Sequence, residues 1–170
     1  QASIAAKTPH SYGVVGNAAD CFEQAIEMGF RPDVVTEMCP CHDPISYIPS
    51  GYDAKQAAEL RYSDEKKYME LARATMIRHL KAMLKYYDMG VPVFEYGTSI
   101  RKECRDAGMD EAEAMRLPAF VADYIRPLFC EGRGPFRWTC ISGDPADLKR
   151  TDALAMELFG DDPIVGRWIP

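Results

Sequence analysis

The chain has 170 residues, of which 47% are hydrophobic and 27% are charged, and this is ordinary for a folded domain with its own core. Its net charge of -6 argues against nucleic acid or an anionic membrane surface as the main partner. Neither a membrane-spanning run nor a signal peptide is recognisable in the sequence, so the cytoplasm is the expected compartment.

The first ordered pattern lies between residues 12 and 36. Residues 12 to 16 predict a short buried strand, and Asn17 is a candidate N-cap for the helix that follows. Gly29 would end that helix, and residues 33 to 36 predict a second strand. Strand, helix and strand in this order predict a βαβ unit with parallel strands. Because ligands bind at the carboxyl ends of such strands, Asn17 and the loop from Glu37 become candidate site positions.

The loop from Glu37 contains a group of soft ligands, with Cys39, Cys41 and His42 close together. The chain has six cysteines, and we expect them to be reduced because no secretion signal precedes them. A thiol or zinc site here remains an alternative. Against it, one residue between the cysteines is fewer than in the usual Cys-x2-Cys spacing, and no second ligand pair follows. We therefore assign no metal.

The middle of the chain, from residue 53 to residue 90, is predicted to be mainly helical. Asp53 and Ser63 are the candidate caps. Apolar residues, several of them methionines, recur at spacings of three and four and indicate a core-facing stripe. His79 is expected to face solvent or a neighbouring chain.

A further strand is predicted at residues 91 to 96, and the turn of residues 97 to 99 leads into another helix. This turn again lies at the carboxyl end of a strand, where ligands of such units bind.

Residues 124 to 138 form the most unusual segment, which fits the period of neither helix nor strand. Its Arg126, Arg133 and Arg137 are planar forks suited to binding a carboxylate or phosphate. Farther on, Asp144 and Pro145 predict the start of a last helix that reaches Phe159.

Three separate stretches resemble the urocanate hydratase (urocanase) family. They are residues 14 to 49, which include Val-Val-Gly-Asn-Ala-Ala, Arg-Pro-Asp-Val-Val-Thr and His-Asp-Pro; residues 94 to 101; and residues 122 to 145, which include Arg-Gly-Pro-Phe-Arg-Trp and Ser-Gly-Asp-Pro. Where bacterial members read Asp-Gln-Thr-Ser-Ala, residues 37 to 41 here read Glu-Met-Cys-Pro-Cys. The resemblance implies an α/β fold of Rossmann-like parallel βαβ units with a largely helical middle, as an incomplete fragment of a larger enzyme. Residues 1 to 52 would be the second half of the NAD-binding domain, and residues 53 to 170 a helix-rich segment that returns to the catalytic core.

The resemblance also implies a cofactor and a reaction. The family binds NAD tightly and uses it as an electrophile in the addition of water to urocanate, which gives 4-imidazolone-5-propanoate in histidine degradation. Arg137 would hold the substrate carboxylate, with Arg126 as the reserve. The NAD contacts would be Asn17, Ala18, Met38, Cys39, Pro40, Cys41, His42, Tyr47, Ile48 and Tyr96.

Two features of the family pattern are not found in these 170 residues: a Gly-x-Gly-x-x-Gly phosphate turn and the cysteine of a later Ile-Cys-Trp segment. We therefore expect the chain alone to bind NAD weakly and to be inactive, and the full-length enzyme to be a homodimer. An alternative is a nucleotide-binding module that has lost catalysis.

Overall fold

The computed structural model describes residues 2–133 and 139–169, without the side chains of residues 2 and 4. Most of the described chain is helical, as the sequence predicts for its middle part. The strands are β1 (Val35–Glu37) and β2 (Val93–Glu95). The helices are α1 (Ala2–Ala6), α2 (Ala18–Glu27), α3 (Ala54–Ser63), α4 (Glu65–Asp88), α5 (Ile100–Asp106), α6 (Glu111–Ala114), α7 (Arg126–Cys130), α8 (Pro145–Phe159) and α9 (Val165–Trp168), with a 3-10 helix at Pro44–Ser46 and a π-helix at Phe120–Ile125.

Strands β1 and β2 pair in parallel, with Val35 opposite Val93 and Glu37 opposite Glu95. The connection between them runs through α3 and α4. A crossover of this kind is needed because the chain must return to the end of the sheet where the first strand began. Ala119 adds an isolated parallel bridge beside Glu95. This pairing confirms the predicted α/β class with parallel strands.

The buried strand predicted at residues 12 to 16 does not form, and that prediction is wrong. The segment has no strand structure, and the side chains of Val14 and Val15 are exposed. A strand is stable when a neighbour satisfies its backbone groups, and β1 takes β2 as that neighbour. The crossover of the observed unit is therefore made by α3 and α4 rather than by α2.

Helix α4 lies at the centre of the core. Asp64 caps its N-terminus by accepting a hydrogen bond from the Lys67 amide at 3.0 Å, whereas the predicted cap Ser63 is the last residue of α3. The completely buried side chains of α4 recur at intervals of three and four residues, which places them on one face. They include Ala72, Met76, Leu80 and Met83. Met76 and Met83 are thus core residues, as predicted.

His79 belongs to this buried face, and the prediction that it faces solvent or a neighbouring chain is wrong. Its ring is completely buried, and it stacks on the ring of Phe22 with centroids 5.2 Å apart. The helical period accounts for this, because His79 follows Met76 by three residues and precedes Met83 by four. At this position the period indicates burial correctly and the polarity of the side chain does not.

Helices α2 and α3 begin at the predicted caps. Asn17 Oδ1 accepts hydrogen bonds from the amides of Ala19 and Asp20 at 3.0 and 3.4 Å. Asp53 forms a capping box with Gln56, in which each side chain accepts from the backbone amide of the other residue. Both caps fix the start of a helix beside a candidate site loop.

The segment from residue 124 to residue 138 is predicted to be irregular, but its first part is helical. The π-helix leads directly into α7, where Pro127 lies in the first turn. The Arg126 amide donates to the Val121 carbonyl oxygen of the π-helix, and Pro127 itself has no backbone amide that would need an acceptor. Gly132 then adopts a φ of 72°, which is accessible to glycine without strain. Residues 134–138 lie outside the described residues.

The chain divides into two compact units, Gln1–Glu131 and Gly132–Pro170. In the second unit, Asp144 caps α8, which begins at Pro145 and ends at Phe159 as predicted. The predicted boundary between an NAD-binding part, residues 1 to 52, and a helix-rich segment, residues 53 to 170, stays a prediction.

Across residues 2–133 and 139–169, none of the helices combines the length and the apolar character that crossing a bilayer requires.

Candidate functional site

Strands β1 and β2 end side by side, and a glutamate is the last residue of each. Glu37 is almost completely buried, and its Oε2 accepts a hydrogen bond from the Cys39 amide at 2.9 Å. Its Oε1 accepts a short hydrogen bond from the Thr98 hydroxyl. The end of β1 is thereby connected both to its own following loop and to the loop after β2.

Glu95 makes the matching contacts at the end of β2. Its Oε2 accepts from the amides of Gly97 and Thr98 at 2.6 and 3.0 Å. Its Oε1 lies 3.5 Å from Arg101 Nη2 in a partly buried ion pair. Thr98 therefore contacts both glutamates, through its hydroxyl and through its amide.

Sequence reasoning did not single out Glu37 or Glu95. Burial raises the pKa of Glu37, and the nearby Glu95 carboxylate acts in the same direction, while the hydrogen bonds from Thr98 and Cys39 oppose the shift. The available signal was an acidic residue within one position of the end of each predicted strand, residues 33 to 36 and 91 to 96, where buried hydrophobic residues are more usual.

The loop after β1 carries most of the predicted cofactor residues, and they differ in exposure. Met38 is 75% exposed, and Pro40 and His42 are also exposed. Cys39 is partly buried, whereas Cys41 is completely buried. A ligand at the surface of this loop can meet the side chains of Met38, Pro40 and His42, whereas Cys41 has no exposed surface in its side chain or its backbone.

Tyr47 lies in the core as well, with 3% of its surface exposed. Its hydroxyl is 3.2 Å from His79 Nδ1, and its carbonyl oxygen accepts from the Tyr68 hydroxyl at 3.0 Å. Burial lowers the pKa of His79 to about 4, so the ring is neutral at physiological pH. Tyr47 therefore anchors the end of the loop to α4.

Asn17 joins α2 to the same loop, because its Nδ2 donates to the carbonyl oxygen of Ile48 at 2.9 Å. Beside this contact lies an open cleft of about 520 Å³, lined by Val15, Gly16, Asn17, Asp20, Ile48, Gly51, Tyr52, Asp53 and Ala54. The Asp20 carboxylate is neutralised there by Arg78, at 2.8 Å from Nη2. The structure thus brings together Asn17 and Ile48 of the predicted site residues.

Tyr96 follows β2 and is about half exposed. Its ring stacks on that of Phe120 with centroids 4.6 Å apart. A cavity of about 310 Å³ lies nearby, and its lining includes Glu95, Gly97, Arg101 and Arg126. The Arg126 amide donates to the carbonyl oxygen of Val121, which also lines this cavity.

Two protein-family models match the chain. The model described as the Urocanase Rossmann-like domain matches residues 1–124, and the model described as the Urocanase C-terminal domain matches residues 127–170. The chain belongs to the urocanase family. This confirms the resemblance and the Rossmann-like class, and it makes the protein a member of a family of hydratases.

In the urocanase framework, the predicted NAD contacts all lie within the Rossmann-like domain. Asn17, Ala18 and Ile48 lie at the cleft or beside it, whereas residues 38 to 42 follow β1 and Tyr96 follows β2. The Glu37–Thr98 hydrogen bond joins the last two groups. Arg137, the predicted substrate contact, falls in the C-terminal domain and lies outside the described residues.

In this urocanase chain, no group of three or more metal-ligating side chains occurs among the residues that the structure describes. Burial raises the pKa of Cys39 to about 11 and also raises that of Cys41. Zinc binds the thiolate form, and both of these thiols are protonated at neutral pH.

Proposed function

We propose that this protein is a urocanate hydratase, which adds water to urocanate to form 4-imidazolone-5-propanoate in histidine degradation. The supporting observation is membership of the urocanase family across both matched domains, residues 1–124 and 127–170. The parallel β1–β2 unit adds support, because ligands of such units bind at the carboxyl edge of the strands.

NAD is the proposed cofactor, and the cleft beside α2 has properties that fit part of it. Its volume of about 520 Å³ is in the range of small-molecule sites. Val15 and Ile48 provide apolar walls. Among the first-turn amides of α2, those of Ala19 and Asp20 are used by the Asn17 cap, and the Ala18 amide has no acceptor in the described part of the chain. An amide at a helix N-terminus can donate to a carbonyl, hydroxyl or phosphate oxygen.

The remaining proposed contacts come from the loops after the strands. Exposed side chains of Met38, Pro40 and His42, the partly buried Cys39 and the ring of Tyr96 would complete the set, and the buried Cys41 and Tyr47 would support the loop from the core. When bound, oxidised NAD supplies an electron sink for the imidazole ring of the substrate without net hydride transfer. Tyr96, supported from behind by Phe120, offers a flat apolar surface that would keep an aromatic ring in place.

Asn17 tests the cofactor site directly. Asn17→Leu removes both the cap of α2 and the contact with Ile48, and we expect the variant to lose bound NAD. Asn17→Asp is the matched control, because the carboxylate still caps the helix but cannot donate to Ile48. NAD released from each denatured protein is quantified by absorbance. Full occupancy in Asn17→Leu would mean that Asn17 is only a cap.

Arg137 is the proposed contact for the substrate carboxylate, because its planar fork matches a carboxylate and it is part of the arginine-rich segment. We expect Arg137→Met to raise KM strongly while NAD content is retained. Arg150→Met is the control, since Arg150 is an exposed arginine of α8. If Arg126→Met raises KM and Arg137→Met does not, the contact belongs to the cavity near Tyr96.

The activity itself is measured on the full-length protein that carries this chain. Incubation with NAD and urocanate should cause loss of the strong ultraviolet absorbance of urocanate. A protein that binds NAD but leaves this absorbance unchanged would be a nucleotide-binding module, and the hydratase assignment would be withdrawn.

We propose in addition that the full-length enzyme is a cytoplasmic homodimer and that the 170 residues alone bind NAD weakly without turnover. The absence of a Gly-x-Gly-x-x-Gly turn from these residues supports weak binding, because such a turn brings backbone amides to the pyrophosphate. Light scattering of the purified protein and NAD titration of the isolated chain test these two points.

A further inference from the structure

The loops after β1 and β2 are connected by buried polar contacts that involve few residues. Glu37 accepts from the Cys39 amide in its own loop and from the Thr98 hydroxyl in the other. Thr98 is 7% exposed and also donates its amide to Glu95 at 3.0 Å. Hydrogen bonds to charged groups are strong, and a buried acceptor that loses its donor carries the full desolvation penalty.

The carboxylate oxygens of both glutamates are already occupied. Those of Glu37 accept from Cys39 and Thr98, and those of Glu95 accept from two amides or lie beside Arg101. A general acid or base needs an oxygen within hydrogen-bond reach of the substrate proton. Both glutamates are also almost completely buried, so their geometry suits holding backbone in place rather than exchanging protons with a substrate.

We propose that Glu37 and Thr98 are positioning residues, which hold the two loops after the strands in one arrangement so that both can bind the same nucleotide. This inference rests on the proposed function. The hydrogen bond joins Glu37 and Thr98, which are 61 residues apart in the sequence. Because of this side-chain pair, residues 38 to 42 and Tyr96 form one binding unit. The expected ligand is NAD, held by both loops at once.

Thr98→Val tests the proposal because valine has nearly the shape of threonine but cannot donate to Glu37. We expect the dissociation constant for NAD to rise about tenfold, the size of effect that one buried charge-assisted hydrogen bond supports. Thr98→Ser keeps the hydroxyl and should restore binding to near the wild-type value. Thr151→Val is the matched control, because its hydroxyl donates to the Asp147 carbonyl oxygen at 3.0 Å and lies 3.9 Å from Cys140 Sγ, and neither residue belongs to the loops after β1 and β2.

Hydrogen exchange provides a second readout that does not depend on NAD. In Thr98→Val, the Cys39 amide should exchange faster although it belongs to the other loop, while amides in the middle of α4 should exchange as in wild type. A purely local role of Thr98 would leave Cys39 unchanged. A general loss of stability would accelerate both sets of amides and would contradict the proposal.

A double-mutant cycle completes the test in the full-length protein. If Glu37 and Thr98 act as a pair, Glu37→Gln and Thr98→Val together should weaken NAD binding less than the product of the single effects. Wild-type NAD affinity in Thr98→Val would overturn this inference while leaving the proposed function intact. A wild-type protein that binds no NAD at all would overturn both.

Discussion

Helices α4 and α8 begin in the same way, but they lie in different environments. Each starts at an aspartate whose side chain accepts a first-turn amide hydrogen bond, Asp64 for α4 and Asp144 for α8. Helix α4 then buries a complete face, including Leu80, whereas no residue of α8 is buried. Leu154 and Leu158 of α8 are more than half exposed. Similar local signals thus produce one helix stabilised by packing and another stabilised mainly by local contacts.

The largest expected effect is a cavity in the face of α4. Leu80→Ala should lower the free energy of unfolding by about 3–4 kcal/mol, because Leu80 is completely buried and the site cannot collapse fully. Leu158→Ala in α8 is the control and should change it by less than about 0.5 kcal/mol. Urea denaturation measures both. Equal losses would show that α8 is packed as tightly as α4.

The buried His79 of α4 should make the free energy of unfolding depend on pH. The pKa of His79 is about 4 in the folded protein, below its ordinary value of 6.5, so the unfolded chain binds more protons between these values. Stability should therefore fall as pH decreases from 6.5 towards 4, by about 2–3 kcal/mol in all.

His79→Gln should flatten this part of the stability profile because glutamine does not titrate. His42→Gln is its control, since His42 is exposed. Denaturation midpoints at a series of pH values provide the data. A slope that is retained in His79→Gln and lost in His42→Gln would reverse the assignment.

Removal of an N-cap should affect stability less than the changes in the core, and the effect should differ between α4 and α8. Removing either cap costs about 1 kcal/mol of local stability. In Asp144→Ala we expect the first turns of α8 to lose helical structure, because no buried face holds them. In Asp64→Ala only fraying at the start of α4 is expected. Hydrogen exchange of the amides in each first turn distinguishes these two outcomes. An equal loss of protection in α4 and α8 would contradict the difference between the two helices.

The smallest perturbation is chemical labelling, which changes no residue. Cys104 packs in the core behind α4, and burial raises the pKa of its thiol to about 12, whereas Cys130 is exposed. A thiol reagent at pH 8 should therefore modify Cys130 at least about tenfold faster than Cys104. Cys130→Ser identifies the fast phase by mass spectrometry. Fast labelling of Cys104 in the folded protein would show that the core opens readily.

Local signals predicted several elements correctly. The Asp-Pro start of α8 and the cap at Asn17 were recognisable because an N-cap depends on a few neighbouring residues. The run of valines at residues 14 and 15 misled the prediction because strand formation depends on a partner far along the chain. His79 misled it for a related reason, since its burial depends on Phe22 and Tyr47.

In the candidate site too, some features could be predicted from local sequence and others depended on distant contacts. The positions of the two loops followed from the predicted strands, and the family resemblance named the residues that they carry. Glu37 and Thr98 could not be paired in advance, because the contact depends on which strands become neighbours. The burial of Cys41 and Tyr47 in the core, away from a surface ligand, was equally beyond the loop sequence.

The sequence by itself determined the family, the helical periods and several helix starts, because each depends on residues close together in the chain or on a long specific run. Only the tertiary structure decided that β1 pairs with β2, that α4 becomes the core helix, and that one buried hydrogen bond joins the two loops. Those outcomes depend on contacts between distant segments, whose free energy is set by mutual burial rather than by local preference.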